Sequence, residues 1–291
     1  MKHCIRLLAF LPFLIFVVGA RAQATSGALA EKGQYIFSLT GGCACHSPPK
    51  GTPHAGGREF PLPIAQVYST NLTGDKETGL GKWSDQQIHD AMVKGIRPSG
   101  EKLLPIMPYE AYSGMADEDM KALIAYLRTL KPARKETPAL KTWAPLYRPL
   151  GMFVWSKLVA KTFTSVPKAP PGGVERGRYL VDHVAFCGDC HTPRNSIGIP
   201  QPAFYLAGAK KTPLLNVEIP NITPDKETGI GSWSRNDIAE LLLTGAKPDL
   251  DNVQGLMWEV IEAGYKNMKK EDALAIADYL KTVRPVKNKI N

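Results

Sequence analysis

The string Cys187-Gly-Asp-Cys190-His191 gathers two thiols and an imidazole within one turn of chain. With 3.6 residues per helical turn, positions i and i+3 fall on nearly the same side of a helix, and the residue after them presents its ring alongside. Two thiols so placed can add to the two vinyl groups along one edge of a porphyrin while the imidazole ligates the iron. A zinc ion would need further ligands at metal spacing, and a redox dithiol belongs with a βαβ pattern; the sequence supports neither. The string therefore points to covalent haem attachment.

A second string, Cys43-Ala-Cys45-His46, is one residue shorter. Gly33 and Gly177 are 144 positions apart, as are Cys43 and Cys187, whereas Cys45 and Cys190, and His46 and His191, are 145 apart. The missing residue thus lies between the cysteines. On a helix, i and i+2 point roughly 200° apart, so this pair needs local unwinding to reach one porphyrin edge. Gly41 and Gly42, just upstream, give the backbone freedom for an irregular turn. Cys45, beside His46, is expected to carry a thioether, and Cys43 to attach incompletely or with strain. Pro48 and Pro193 each stand two residues past a histidine, and their carbonyls are expected to orient the rings.

The sixth iron ligand is nominated by repetition. Met107, in Pro105-Ile-Met-Pro108, and Met257, in Gly255-Leu-Met-Trp258, are 150 apart, the same offset as Asn71 to Asn221 and Trp83 to Trp233. Methionine more often fills core space, but the shared position favours ligation. His54, His89 and His183 lack counterparts and are expected to be surface or packing residues. Asn71 and Asn221 each head an N-x-Thr sequon that a repeated loop explains better than glycosylation does. Those loops, or the Trp83 and Trp233 indoles, are candidates for hydrogen bonds to haem propionates.

These residues are carried by a duplicated unit. Glu31-Lys-Gly-Gln-Tyr-Ile recurs as Glu175-Arg-Gly-Arg-Tyr-Leu, and Asp75-Lys-Glu-Thr-Gly-Leu-Gly as Asp225-Lys-Glu-Thr-Gly-Ile-Gly. The period is far longer than that of a solenoid, so each unit is expected to be a domain with its own core. Residues 25–132 form the first and 171–291 the second; 133–170, rich in aromatic residues such as Phe153 and Trp155, is a connector without a repeat partner. Elements are expected to be helical and strand signals are weak. Met120, Leu123, Ile124 and Leu127 mark a last helix that starts near Asp117 and stops before Pro132, with a counterpart through Leu274, Ala277 and Leu280. Middle helices begin at Ser84 and Ser234, with Gln87 and Asp237 placed to close capping boxes.

The first 24 residues read as an export signal: Lys2 and Arg6, an apolar run from Leu7 to Val18, and a small-residue cleavage site at Ala22-Gln-Ala24. That predicts a periplasmic protein, with membrane association left open through an uncleaved signal; the connector is expected to pack between the two domains, the alternative being that it docks on a membrane subunit or is a surface helix. Loss of Lys2, Arg6 and Arg21 lowers the formal charge from +9 to +6. This modest excess, without a zinc-finger or RNA-binding signature, excludes nucleic acid and suits solubility or steering toward an acidic partner.

The sequence resembles the double-domain class I c-type cytochromes of bacterial periplasms. It is also similar to the first two domains of the cytochrome subunits of membrane-associated alcohol, aldehyde and gluconate dehydrogenases. Tyr68-Ser-Thr-Asn-Leu-Thr, Asp75-Lys-Glu-Thr-Gly-Leu-Gly, Met107-Pro-Tyr-Glu-Ala-Tyr and the aromatic connector after Trp143 carry the likeness. The resemblance implies an all-α chain of tandem cytochrome c folds, each around one covalent haem c. Cys187, Cys190, His191 and Met257 would serve the second haem, and Cys43, Cys45, His46 and Met107 the first. In each fold the first and last helices would cross where Gly33 or Gly177 allows close approach, near Tyr126 or Tyr279. Such a chain would move electrons between redox partners, accepting them from a dehydrogenase and passing them toward a terminal oxidase. The competing reading is a haem enzyme, a di-haem peroxidase or a thiosulfate-oxidising cytochrome, which would need an iron with an open position; matched methionines argue for a carrier.

Overall fold

The computed structural model describes residues 27–62, 65–142, 147–156, 163–195, 198–211 and 217–290. The export signal and parts of the connector, Trp143 among them, lie outside the described residues. The first repeat begins with helix α1 (27–39), followed by a 3-10 turn, Gly41–His46. A hairpin of β1 (Glu59–Leu62) and β2 (Ala65–Tyr68) precedes helices α2 (Asp85–Lys94), α3 (Tyr109–Tyr112) and α4 (Asp117–Leu127). After β3 (Lys141–Thr142) and α5 (Tyr147–Val154), the second repeat runs through α6 (Gly173–Tyr179), α7 (Cys187–His191), α8 (Arg235–Thr244), α9 (Gly255–Ala263) and α10 (Lys270–Thr282).

Each repeat is organised by the crossing of its first and last helices. A Cβ added at Gly33 would lie 1.9 Å from Ala122 O and 2.8 Å from Tyr126 Cβ; at Gly177 it would lie 1.9 Å from Ala275 O and 2.9 Å from Tyr279 Cβ. Only glycine lets the backbones of α1 and α4, or of α6 and α10, approach so closely. The last helices start on acidic residues, Asp117, Glu118 and Asp119 in α4 and Glu271 and Asp272 in α10, which complement the helix dipole. Both middle helices carry complete capping boxes, Ser84 with Gln87 and Ser234 with Asp237, and end on a left-handed glycine, Gly95 or Gly245.

Two features depart from the sequence reading. The hairpin pairs β1 with β2 from Glu59↔Tyr68 to Leu62↔Ala65, and β3 adds through Ala65↔Thr142, so a small antiparallel sheet accompanies the helices. Its strands are at most four residues long and Pro61 interrupts the first, which leaves almost no alternation to read. The cores are also not separate, since one cluster of buried side chains runs from Leu39, Met120 and Leu123 through Tyr179 and Val181 to Ile276 and Leu280.

The repeats join through a reciprocal clasp. Tyr179 of α6 donates its hydroxyl proton to Asp119 Oδ2 (2.8 Å) and accepts from Ala116 N–H (3.1 Å) at the start of α4. Tyr35 of α1 does the same at the start of α10, donating to Asp272 Oδ2 (2.7 Å) and accepting from Lys269 N–H (3.2 Å). Within each repeat a cation completes the arrangement: Lys32 lies 2.8 Å from Asp119, and Arg176 donates twice to Asp272, at 2.9 Å each. Positions 32, 35, 116 and 119 recur as 176, 179, 269 and 272, giving the contact an approximate two-fold symmetry.

Candidate haem-attachment sites

The two attachment turns solve the same problem with different backbones. In the second repeat, Phe186 takes a left-handed conformation (φ 40°) and Cys187–His191 forms a single helical turn, which places Cys187 and Cys190 on one side. In the first repeat, Gly41 (φ 68°), Gly42 (φ 61°) and Cys43 (φ 47°) are all left-handed, and the turn is 3-10 rather than α. Three consecutive left-handed residues make this the irregular turn that the two glycines lead one to expect. Their cost falls on Cys43, a side-chain-bearing residue in a region that favours glycine. The Cys43 thiol lies 3.4 Å from Thr40 Oγ1.

Among the described residues Cys43, Cys45, Cys187 and Cys190 are free thiols, and Cys4, within the export signal, lies outside them. Burial pushes Cys43, Cys187 and Cys190 up to about 12, so these thiols are protonated at neutral pH. Among the described residues no group of three or more His, Cys, Asp or Glu side chains is placed to hold a bare metal ion.

The imidazoles are fixed by backbone carbonyls other than the expected ones. His46 Nδ1 lies 2.7 Å from Thr70 O, and His191 Nδ1 lies 2.8 Å from Pro220 O. Pro48 and Pro193 do not serve; the Pro193 carbonyl instead accepts from Gln201 N–H. Bonding to a carbonyl requires the proton on Nδ1, which leaves the Nε2 lone pair to a metal. Burial lowers the pKa of both rings against the opposing pull of those carbonyls, which keeps them neutral.

Thr70 and Pro220 directly precede Asn71 and Asn221, and the asparagines hold those carbonyls in position. Asn71 Nδ2 donates to Thr78 Oγ1 (2.9 Å) and Ala133 O (2.7 Å), while its Oδ1 accepts from Thr73 N–H (2.9 Å). Asn221 repeats this with Thr228 Oγ1 (3.0 Å), Val286 O (2.8 Å) and Thr223 N–H (2.9 Å). Both amide protons of each asparagine are used internally, and both residues are buried. They brace the loop, and neither a glycan nor a propionate can use them. The network also extends the repeat past Pro132: Lys135 N–H donates to Thr78 Oγ1 as Asn288 N–H does to Thr228 Oγ1. The start of the connector therefore has a structural counterpart in the C-terminal tail.

Met107 lies in a turn, its carbonyl accepting from Tyr109 N–H, and Met257 lies in the first turn of α9; both are partly buried against the core. Trp83 and Trp233 occupy matching partly buried positions. The other histidines among the described residues, His54, His89 and His183, are surface or packing groups. His54 stacks edge-on to Phe37, with ring centroids 5.1 Å apart, and His89 borders Asp90 on α2. His183 packs on Phe163 at 4.9 Å, lies 3.1 Å from Ala111 O, and covers Gly114 of the other repeat. The attachment turns face across the same junction. A Cβ at Gly42 would meet Ala263 O of α9 at 2.2 Å, and the Phe186 ring stands 5.5 Å from Tyr112 of α3.

Free thiols beside an imidazole whose Nε2 is left open, with a methionine at the same repeat offset in each half, suit the attachment and ligation of haem iron. The helical scaffold with its glycine crossing and these donors defines a c-type cytochrome fold. A family model described as cytochrome c matches residues 30–131. The chain is 36% identical over 258 residues to the fructose dehydrogenase cytochrome subunit of Gluconobacter japonicus, covering 87% of this chain and 52% of that protein. It is 35% identical over 285 residues to the cytochrome c subunit of the quinone alcohol dehydrogenase of Gluconobacter oxydans (strain 621H), covering 92% and 57%. A diheme cytochrome c-type protein of Cereibacter sphaeroides is 34% identical over 260 residues, covering 87% of this chain and 86% of that protein. The chain thus spans a little over half the length of the two dehydrogenase subunits. It belongs to the cytochrome c family.

Proposed function

We propose that this chain is an exported, periplasmic di-haem electron carrier. Its tandem cytochrome c domains, 25–132 and 171–291, are joined by the connector 133–170. Haem iron, when bound, supplies a one-electron couple. Cys187 and Cys190 would hold one porphyrin, and His191 and Met257 would supply the donors to its iron. Cys45 and, under strain, Cys43 hold the other, with His46 and Met107. The observation that carries this reading is the doubled arrangement in which a carbonyl braced by Asn71 or Asn221 fixes the Nδ1 side of the attachment histidine.

With a histidine and a methionine committed to each haem, no open site for substrate would remain, so the chain carries electrons and catalyses no reaction of its own. Its donor is a dehydrogenase, by analogy with the subunits named above, and its acceptor a redox protein on the way to a terminal oxidase. Nucleic acid has no part in it. Reductive titration of the purified protein tests the reading: two electron equivalents per chain, together with an intact mass showing two haems and an N-terminus at Thr25, are expected. One equivalent, or rapid turnover of peroxide by fully methionine-ligated protein, would overturn it.

A further inference from the structure

The basic excess of the chain is concentrated in one segment. Residues 25–132 contain 11 basic and 11 acidic side chains, and residues 171–291 contain 15 of each. Between 133 and 170 stand five lysines and two arginines against the single acid Glu136, so the connector carries all of the +6 charge left after the export signal. The same segment exposes apolar side chains. Leu150 and Phe153, at i and i+3 on α5, are each 61% exposed, while Met152 on the opposite side is buried. Phe163 (44%) and Val166 (42%) of the same segment are also partly exposed.

This surface is held in place by the first repeat. Trp155 Nε1 donates to Glu110 Oε1 (2.7 Å), Phe163 N–H to Ser113 Oγ (2.8 Å), and Asp117 N–H to Val166 O (2.9 Å). The apolar side chains are therefore presented outward by a fastened segment. Among the described residues no helix is long and apolar enough to cross a membrane. A short helix showing leucine and phenylalanine, set in a chain of lysines, is suited instead to lie in the headgroup region of a bilayer.

We propose that the connector is a membrane-surface anchor that binds anionic phospholipid through α5 and its flanking basic residues. Leu150 and Phe153 enter the acyl boundary, and Lys141 and Lys168, both exposed, contact lipid phosphates. An acidic protein surface would also attract the charge. The composition favours lipid, because lysine is depleted from protein interfaces whereas clustered lysines beside an amphipathic helix are a signature of anionic-lipid binding. The proposal is independent of the haem ligand assignments.

The test is partitioning of the mature holoprotein onto sucrose-loaded vesicles. Strong, salt-sensitive binding to vesicles containing phosphatidylglycerol and little to pure phosphatidylcholine is expected. Leu150→Ser with Phe153→Ser should lower partitioning at least about tenfold, and Lys141→Gln with Lys168→Gln about fivefold per lysine at low salt. Both variants should keep the haem content and visible spectrum of the parent. Leu250→Ser, an exposed leucine in the second repeat, should bind as the parent does. Failure to bind anionic vesicles, equal binding to both lipids, or undiminished binding by the α5 variant would overturn the proposal. So would binding to native membranes that protease treatment abolishes while vesicles bind nothing, since that would assign the surface to a protein partner.

Discussion

Replacing Tyr179 by phenylalanine removes one hydroxyl from the buried end of the clasp and should loosen the junction between the repeats. Asp119 is 1% exposed and would lose its 2.8 Å bond from Tyr179, keeping Lys32 at 2.8 Å and Arg176 at 4.0 Å. Ala116 N–H would lose its acceptor at a site with no access to water, Ala116 being fully buried. A hydrogen bond to a charged group contributes about 1.5–3 kcal/mol and a neutral one about 0.5–1.5, so Tyr179→Phe should cost about 2–4 kcal/mol. The symmetric change Tyr35→Phe should cost less, about 1–2 kcal/mol. Asp272 keeps both Arg176 bonds there, and Lys269, an exposed residue, can turn its N–H to water. Urea unfolding of the holoprotein, followed by far-ultraviolet circular dichroism, measures both. Equal costs, a larger cost for Tyr35→Phe, or a Tyr179→Phe protein within about 0.5 kcal/mol of the parent would refute the reasoning. A double-mutant cycle with Asp119→Asn should return a coupling of about 1 kcal/mol or more.

Asp272 titrates below the ordinary carboxylate range; burial opposes its ionisation, but the bonds from Arg176 and Tyr35 outweigh burial. A depressed carboxylate contributes stability that is complete above its unfolded value, about 3.9, and is lost as pH falls through its folded value. The destabilisation caused by Asp272→Asn should therefore be largest at neutral pH and shrink below about pH 4, as read by urea midpoints across pH. Gly33→Ala and Gly177→Ala each drive a Cβ to 1.9 Å from a carbonyl oxygen; each should cost about 3 kcal/mol or prevent accumulation of holoprotein, as checked by haem stain and unfolding. Asn221→Ala frees the Pro220 carbonyl and leaves buried groups unpaired; a loss of about 2–3 kcal/mol and a shifted reduction potential for one haem only are expected from unfolding and redox titration. In the first motif, Cys45→Ser should abolish covalent attachment, whereas Cys43→Ser should leave a single thioether, distinguished by pyridine haemochrome spectra.

Much of this architecture can be read from repetition. The capping boxes at Ser84 and Ser234 and the last helices before Pro132 and Pro285 are local patterns whose physical cause lies within a few residues of sequence, whereas the crossings of Gly33 on Ala122 and Gly177 on Ala275 span most of a repeat and follow from the family resemblance. The carbonyls that hold the histidines were legible only in part. Thr70 and Pro220 lie 24 and 29 residues from their partners and act through the backbone, which carries no residue-type signal. Their clue is position, each preceding an asparagine that recurs at the same offset. Of the clasp, Lys32 and Tyr35 recur as Arg176 and Tyr179 in the first repeated string, yet nothing in the sequence says that Tyr35 pairs with Asp272, 237 residues away, rather than with Asp119 of its own repeat. The three-stranded sheet escaped because strands of two to four residues, one broken by proline, offer too few positions for alternation.

The central claim is that each repeat binds one haem through the same pair of axial residues. Its most direct test is the weak near-infrared-edge absorption of iron–sulfur ligation in the oxidised protein. The account predicts that Met107→Ala and Met257→Ala each remove about half of this band and that the double variant removes all of it. A band unchanged in Met257→Ala would contradict the account.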